Sequence, residues 1–101
     1  MQDEPGPSER GEMPTISRFF GIRILMFHDE HPRPHFHARY AEHEASISID
    51  TLEALTGSLP RRVMALVLEW AMLHRPELRE SWARAQRHQP LARIPGLDEE
   101  A

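Results

Sequence analysis

Hydrophobic and polar residues alternate along the first half of the chain. The alternation begins near Phe19 and predicts a strand from about Ser17 to His28, because successive side chains of a strand point to opposite faces. Its two faces would carry different residues: Ile22, Ile24 and Met26 on one, and Arg23, Leu25 and Phe27 on the other. The apolar second face, at Leu25 and Phe27, predicts contact with a partner or ligand rather than with solvent.

Two more segments show the same alternation. They predict a second strand at His35–Ala41 and a third at Ala45–Asp50, while Thr51–Thr56 fits either a short fourth strand or a loop. The prolines of Asp29–Pro34 favour a turn before the second strand. Short connections of this kind favour antiparallel pairing.

The period changes to that of a helix after Gly57-Ser58. Val63, Val67 and Trp70 recur at helical spacing and predict a helix from about Pro60 to Arg75. Pro76 disfavours helix in the residue before it and can begin a second helix, which would end before Pro90. Leu91–Ile94 fits a short closing strand. The predicted fold class is therefore α+β, a three- or four-stranded antiparallel sheet with two C-terminal helices packed on one face.

A chain of 101 residues suits one domain. Residues 1–12 are polar and rich in charge, proline and glycine, so we predict a disordered N-terminal tail, with Met1 and Met13 both open as the start. The single α+β domain would span residues 13–97, and residues 98–101 would form a disordered acidic tail.

Composition narrows the function classes. The chain has no cysteine, which excludes disulfides and thiolate metal sites, and its net charge is −4. Residues 13–97 hold eleven arginines against nine carboxylates, a balance of +2 that is weaker than a dedicated nucleic-acid binder would show. No membrane span or signal peptide is apparent, so we expect a cytoplasmic protein.

The candidate chemistry lies between His28 and His43. His35 and His37 should project from one face of a strand, about 7 Å apart at the backbone, with Arg39 continuing the row. Three interpretations stay open, and the last is favoured. The pair could bind a divalent metal with His28, His31, His43 or Glu42, act with Arg39 as catalytic groups of a metal-free endoribonuclease, or serve a structural or protein-contact role.

Several motifs resemble those of a known family. They are Met13-Pro14-Thr15-Ile16, Phe20-Gly21-Ile22, Pro34-His35-Phe36-His37-Ala38-x-Tyr40, Gly57-x-Leu59-Pro60, Glu69-Trp70, His74, Glu77-Leu78 and Trp82. Together they are similar to the bacterial family catalogued as domain of unknown function 4160, over roughly residues 13–97. One departure is Pro32-Arg33-Pro34, where the family usually has a double proline before the histidines.

The resemblance implies a partner more clearly than a reaction. Genes of this family are often found beside a second small gene, and such pairs have been proposed as toxin–antitoxin-like modules. The expectation is therefore a small cytoplasmic protein that binds a partner encoded nearby, with RNA as an alternative ligand. The resemblance assigns no catalytic residue.

Overall fold

A single antiparallel sheet forms the body of the molecule. The computed structural model describes residues 14–28 and 33–99, so the predicted N-terminal tail and His31 lie outside the described residues. The five strands follow one another in space as they do in the chain: β1 Thr15–Phe19, β2 Ile22–Leu25, β3 His35–Tyr40, β4 His43–Ser48 and β5 Ala54–Ser58. Two helices follow, α1 Arg61–Leu73 and α2 Arg75–Gln86, and then a 3-10 turn at Leu97–Glu99.

The first predicted strand is in fact a hairpin. Phe20 and Gly21 both have positive φ, 51° and 78°, and they connect β1 to β2 in a tight turn. The hydrophobic pattern does not reveal this two-residue turn, because the alternation of apolar residues continues through it at Phe20, Ile22 and Ile24. The prediction of three or four strands was therefore wrong, and the sheet has five.

The later strands lie close to their predicted positions. β3 begins at His35 as expected, and β4 begins at His43 because a two-residue turn at Ala41 and Glu42 joins it to β3. The segment that fitted a strand or a loop is strand β5, although it starts at Ala54 rather than Thr51. Its pairing with β4 contains an irregularity between Ser46 and Ile47.

Prolines set the beginnings of both helices. Pro60 precedes the first residue of α1, and Pro76 lies in the first turn of α2, where a missing N–H removes no intrahelical hydrogen bond. The two helices meet at His74, whose backbone N–H donates to the Trp70 carbonyl oxygen at 3.1 Å. The predicted helices are thus confirmed, with ends that differ by a few residues.

One apolar cluster fills the space between the sheet and the helices. Trp70 lies at its centre, fully buried, with its ring centroid 5.4 Å from that of Phe19. Both helices contribute to the cluster, α1 through Val67 and Trp70 and α2 through Leu78. Much of the rest comes from one face of the sheet and from residues that directly follow its strands: Ile22, Ile24, Met26, Phe36, Ala38, Ala45, Ile47 and Ile49. We call the opposite side of the sheet the outer face.

The segment after α2 returns to the first strand. The Ile94 N–H donates to the Ile16 carbonyl oxygen at 2.7 Å, and the Trp70 indole N–H donates to the Pro95 carbonyl oxygen at 2.8 Å. The predicted closing strand is therefore an irregular segment that lies against β1. The 3-10 turn then includes Asp98 and Glu99, where the sequence predicted the start of a disordered tail. In the part of the chain described here, neither helix is long and apolar enough to span a membrane.

Candidate functional site

Strand register brings the predicted site residues to one side of the sheet. His37 pairs with Leu25 on β2 and with Ser46 on β4, and none of these three belongs to the apolar cluster. Their neighbours Phe36 and Ala38 do belong to it. Because side chains alternate along a strand, His35, His37 and Arg39 share the outer face, as the sequence predicted.

Glu44 connects two of these side chains. Its Oε1 accepts a hydrogen bond from Nε of Arg39 at 3.0 Å, and its Oε2 lies 3.4 Å from Nδ1 of His37. Arg39 and Glu44 are directly opposite each other on β3 and β4, so the pairing follows from the register. Opposite charges in that position stabilise a sheet modestly.

The two imidazoles belong to a row of aromatic rings. His35 lies between His37 and Trp82, with ring centroids 5.2 Å and 5.1 Å away, and Phe27 lies 5.1 Å beyond His37. Trp82 comes from α2, so the row links the outer face to the helical layer. His35 is only 5% exposed, and its Nδ1 is 2.8 Å from the Arg33 carbonyl oxygen.

The other histidines lie elsewhere. His28 packs its ring against His88 at 4.3 Å, beyond the end of α2. His43 pairs with Tyr40 in the β3–β4 register, so alternation places it on the face opposite to His37. Across residues 14–28 and 33–99, no group of three or more histidine, aspartate or glutamate side chains is arranged to hold a metal ion.

Burial limits what the histidine pair can do chemically. A general acid or base must come within hydrogen-bond reach of its substrate. Nε2 of His37 is buried, and the ring of His35 packs against Trp82. This geometry fits a structural role for the pair better than proton transfer to an RNA substrate.

The expected apolar patch on the outer face is also covered. Leu25 is 1% exposed and Phe27 is half-buried against His37. The large apolar side chains that are exposed among the described residues lie at other places: Phe20, Met72 and Leu73. Leu25 and Phe27 therefore do not form the exposed apolar surface that the sequence predicted.

Sequence reasoning missed the roles of Glu44 and Trp82. Glu44 falls between the predicted second and third strands, so the sequence assigns it to their connection, whereas the two-residue turn at Ala41 and Glu42 places it opposite Arg39. The predicted second helix contains Trp82, but helical periodicity does not indicate which strand residue this side chain contacts. Only the three-dimensional structure shows its contact with His35.

Comparison with known proteins agrees with the motifs noted in the sequence. The family described as Domain of unknown function (DUF4160) matches residues 21–83, which include β2 to β5, α1 and most of α2. No curated protein and no solved structure shows a significant match. The match covers more than half of the chain, and the protein therefore belongs to the DUF4160 family.

Proposed function

We propose that this protein is a small cytoplasmic partner-binding protein, one component of a toxin–antitoxin-type two-gene module, and that it binds its partner on the outward side of α1. We define the outward α1 face as Ala65, Leu68, Glu69, Met72 and Leu73, which line one hollow of about 550 Å³. The observation that carries the proposal is the exposure of Met72 and Leu73, 67% and 57%.

The opposite side of α1 already packs against the sheet through Val63, Val67 and Trp70. A helix of a soluble protein usually buries one apolar stripe and exposes a polar one. Apart from Glu69, the outward α1 face is apolar as well, as is typical of a helix that is covered on both sides. A contiguous exposed apolar patch of this kind is characteristic of an interaction surface.

Charges on α1 indicate the chemistry of the partner. Arg61 and Arg62 are exposed in the first turn, which contains no acidic residue, and the last turn contains no basic residue. Cations are unfavourable at a helix N-terminus because the macrodipole is positive there. The partner we propose is an amphipathic helix of the neighbouring gene product, with carboxylates next to one end of its apolar stripe. Those carboxylates would pair with Arg61 and Arg62.

Met72→Glu tests the proposal. The two gene products are co-expressed and analysed by size-exclusion chromatography, and affinity is measured by calorimetry. We expect co-elution with the unmodified chain and at least about tenfold weaker binding with Met72→Glu, because a buried carboxylate is left without a partner. The melting temperature should change little, since Met72 is exposed in the free protein.

Gln89→Glu is the matched control, because it adds the same charge at an exposed position outside the outward α1 face. It should leave binding unchanged. Independent migration of the two unmodified chains would contradict the proposal, as would equal affinity of the Met72→Glu variant. Self-association of the chain alone that Met72→Glu abolishes would show that the occupant is a second copy, which also contradicts it.

A further inference from the structure

Phe20 occupies an unfavourable position at the tip of the β1–β2 hairpin. Its φ is 51°, in the left-handed region that bulky residues avoid, and 55% of the residue is exposed. Asparagine followed by glycine is the preferred pair in a two-residue turn with two positive φ values. The sequence has phenylalanine there, which strains the backbone and exposes a ring to water. Strained residues of this kind are often found at functional sites.

Two arginines share a hollow with Phe20. Arg18 and Arg23 are directly opposite each other on β1 and β2, and they line a hollow of about 310 Å³ together with Phe20 and Asp98. Like charges directly opposite each other destabilise a sheet. Within residues 14–28 and 33–99, no carboxylate forms an ion pair with either guanidinium, although Nη2 of Arg23 donates to Oγ1 of Thr15 at 2.9 Å.

The positive charge continues across the outer face. Arg23 is also paired in register with Arg39 on β3, so three arginines stand side by side on three neighbouring strands. Glu44 partly neutralises Arg39. Asp98 is the one carboxylate among the residues that line the hollow, so the positive charge of Arg18 and Arg23 exceeds the negative charge next to the exposed ring.

We propose that this hollow binds a segment of single-stranded nucleic acid, with one base stacked on Phe20 and the adjacent phosphates held by Arg18 and Arg23. Aromatic side chains beside a basic groove are the usual means by which proteins bind single strands. The guanidinium fork matches phosphate oxygens in a bidentate arrangement. Asp98, which also lines the hollow, can accept a hydrogen bond from a base amino group. This site is separate from the outward α1 face and does not depend on the function proposed above.

Phe20→Asn distinguishes an effect on binding from an effect on stability, because the two are expected to change in opposite directions. The probe is a fluorescein-labelled oligouridylate of about ten nucleotides, and its binding to the protein is measured by fluorescence anisotropy. We expect Phe20→Asn to weaken binding about tenfold, because stacking on an aromatic ring is lost. The same variant should melt at a higher temperature than the unmodified protein, since asparagine suits a positive φ. Phe20→Tyr, which keeps a ring, should bind as the unmodified protein does.

Salt dependence tests the arginines. When the logarithm of the association constant is plotted against the logarithm of the salt concentration, two phosphate contacts predict a slope of about −1.4. Arg18→Gln removes one contact and should reduce the magnitude of this slope by about 0.7. Arg87→Gln, at an exposed position outside the hollow, should leave the slope unchanged. Unchanged affinity of Phe20→Asn would contradict the proposal, and so would no binding of the unmodified protein at about 50 mM salt. Equal competition by polyglutamate would show that charge alone is recognised, which also contradicts it.

Discussion

Gly57 and Gly21 both have positive φ, but their surroundings differ sharply. A Cβ atom built on Gly57 would lie 2.1 Å from the Glu44 carbonyl oxygen, a backbone atom that cannot move without breaking the β4–β5 pairing. On Gly21 the nearest atom would be a ring carbon of Tyr40 at 3.5 Å, an ordinary contact. The conformational cost of alanine is similar at the two positions. The difference between the two substitutions in their effect on the free energy of unfolding therefore measures the steric clash at Gly57.

We therefore expect Gly57→Ala to lower the free energy of unfolding by about 2 kcal/mol or more, and Gly21→Ala by about 1 kcal/mol. Urea denaturation of the two variants and the unmodified protein measures both values. An equal decrease in the free energy of unfolding in the two variants would show that the β4–β5 pair adjusts freely to the added methyl group.

The packing of His35 leads to a second prediction at single-residue scale. Removing its ring leaves a cavity beside Trp82, so His35→Ala should destabilise the protein by about 2 kcal/mol. His43→Ala is the control, since its side chain is 38% exposed and the change should cost no more than about 0.5 kcal/mol. Thermal unfolding followed by tryptophan fluorescence compares them. A His35→Ala variant as stable as the His43→Ala variant would argue against the structural role that we assign to this ring.

At the scale of elements, an ion pair joins Arg93 and Glu99 in the segment that follows α2. The Arg93 guanidinium donates to the Glu99 carboxylate, which lowers the pKa of Glu99 below its ordinary value of 4.5 and raises that of Arg93. A lowered folded-state pKa stabilises the fold above the ordinary pKa of the carboxyl, and this contribution is lost as the pH falls through the folded-state value. The effect should be small because both side chains face solvent.

Arg93→Gln should return the pKa of Glu99 to its ordinary range, because the hydrogen bond and the attractive charge are both removed. Titration of the side-chain carboxyl carbon by NMR measures the change. Arg87→Gln should leave the titration of Glu99 unaltered. An ordinary pKa for Glu99 in the unmodified protein would show that the ion pair does not form in solution.

The sequence predicted the helices better than the strands. Proline and helical periodicity marked the beginnings of α1 and α2 to within a few residues. The first hairpin was missed because Phe20 is a residue that turns of this geometry rarely contain, and Gly21 alone does not distinguish a turn from a glycine within a strand. The β3 register was predicted correctly, since a one-residue shift would have moved Phe36 and Ala38 out of the core.

For the molecule as a whole, the two edges of the sheet differ. β1 is covered by the segment at Ile94–Gly96, where a Cβ on Gly96 would approach the Arg18 carbonyl oxygen to 2.4 Å. β5 has no neighbouring strand on its outer side in the described sheet, and most of its residues are exposed. Its pairing with β4 is irregular between Ser46 and Ile47, and irregularities of this kind are a common means of discouraging unwanted strand pairing.

The sequence predicted which face of the sheet carries the candidate residues, but it did not predict how they are packed. Alternation alone placed His35, His37 and Arg39 on one face. The burial of His35 could not be predicted, because its ring contacts Trp82 of α2, which is 47 residues away in the sequence. The resemblance identified the family, and the family match then extended over β2 to α2.

The sequential order of the five strands has a consequence for the path of folding. Each strand pairs only with its neighbours in the chain, so most sheet contacts are local and the entropy lost on closing each loop is small. Such topologies fold fast. The contact of Ile94 with Ile16 is the exception, since it joins the two ends of the domain and can form only after synthesis of both is complete. We expect the sheet to assemble during translation and this closing contact to form last.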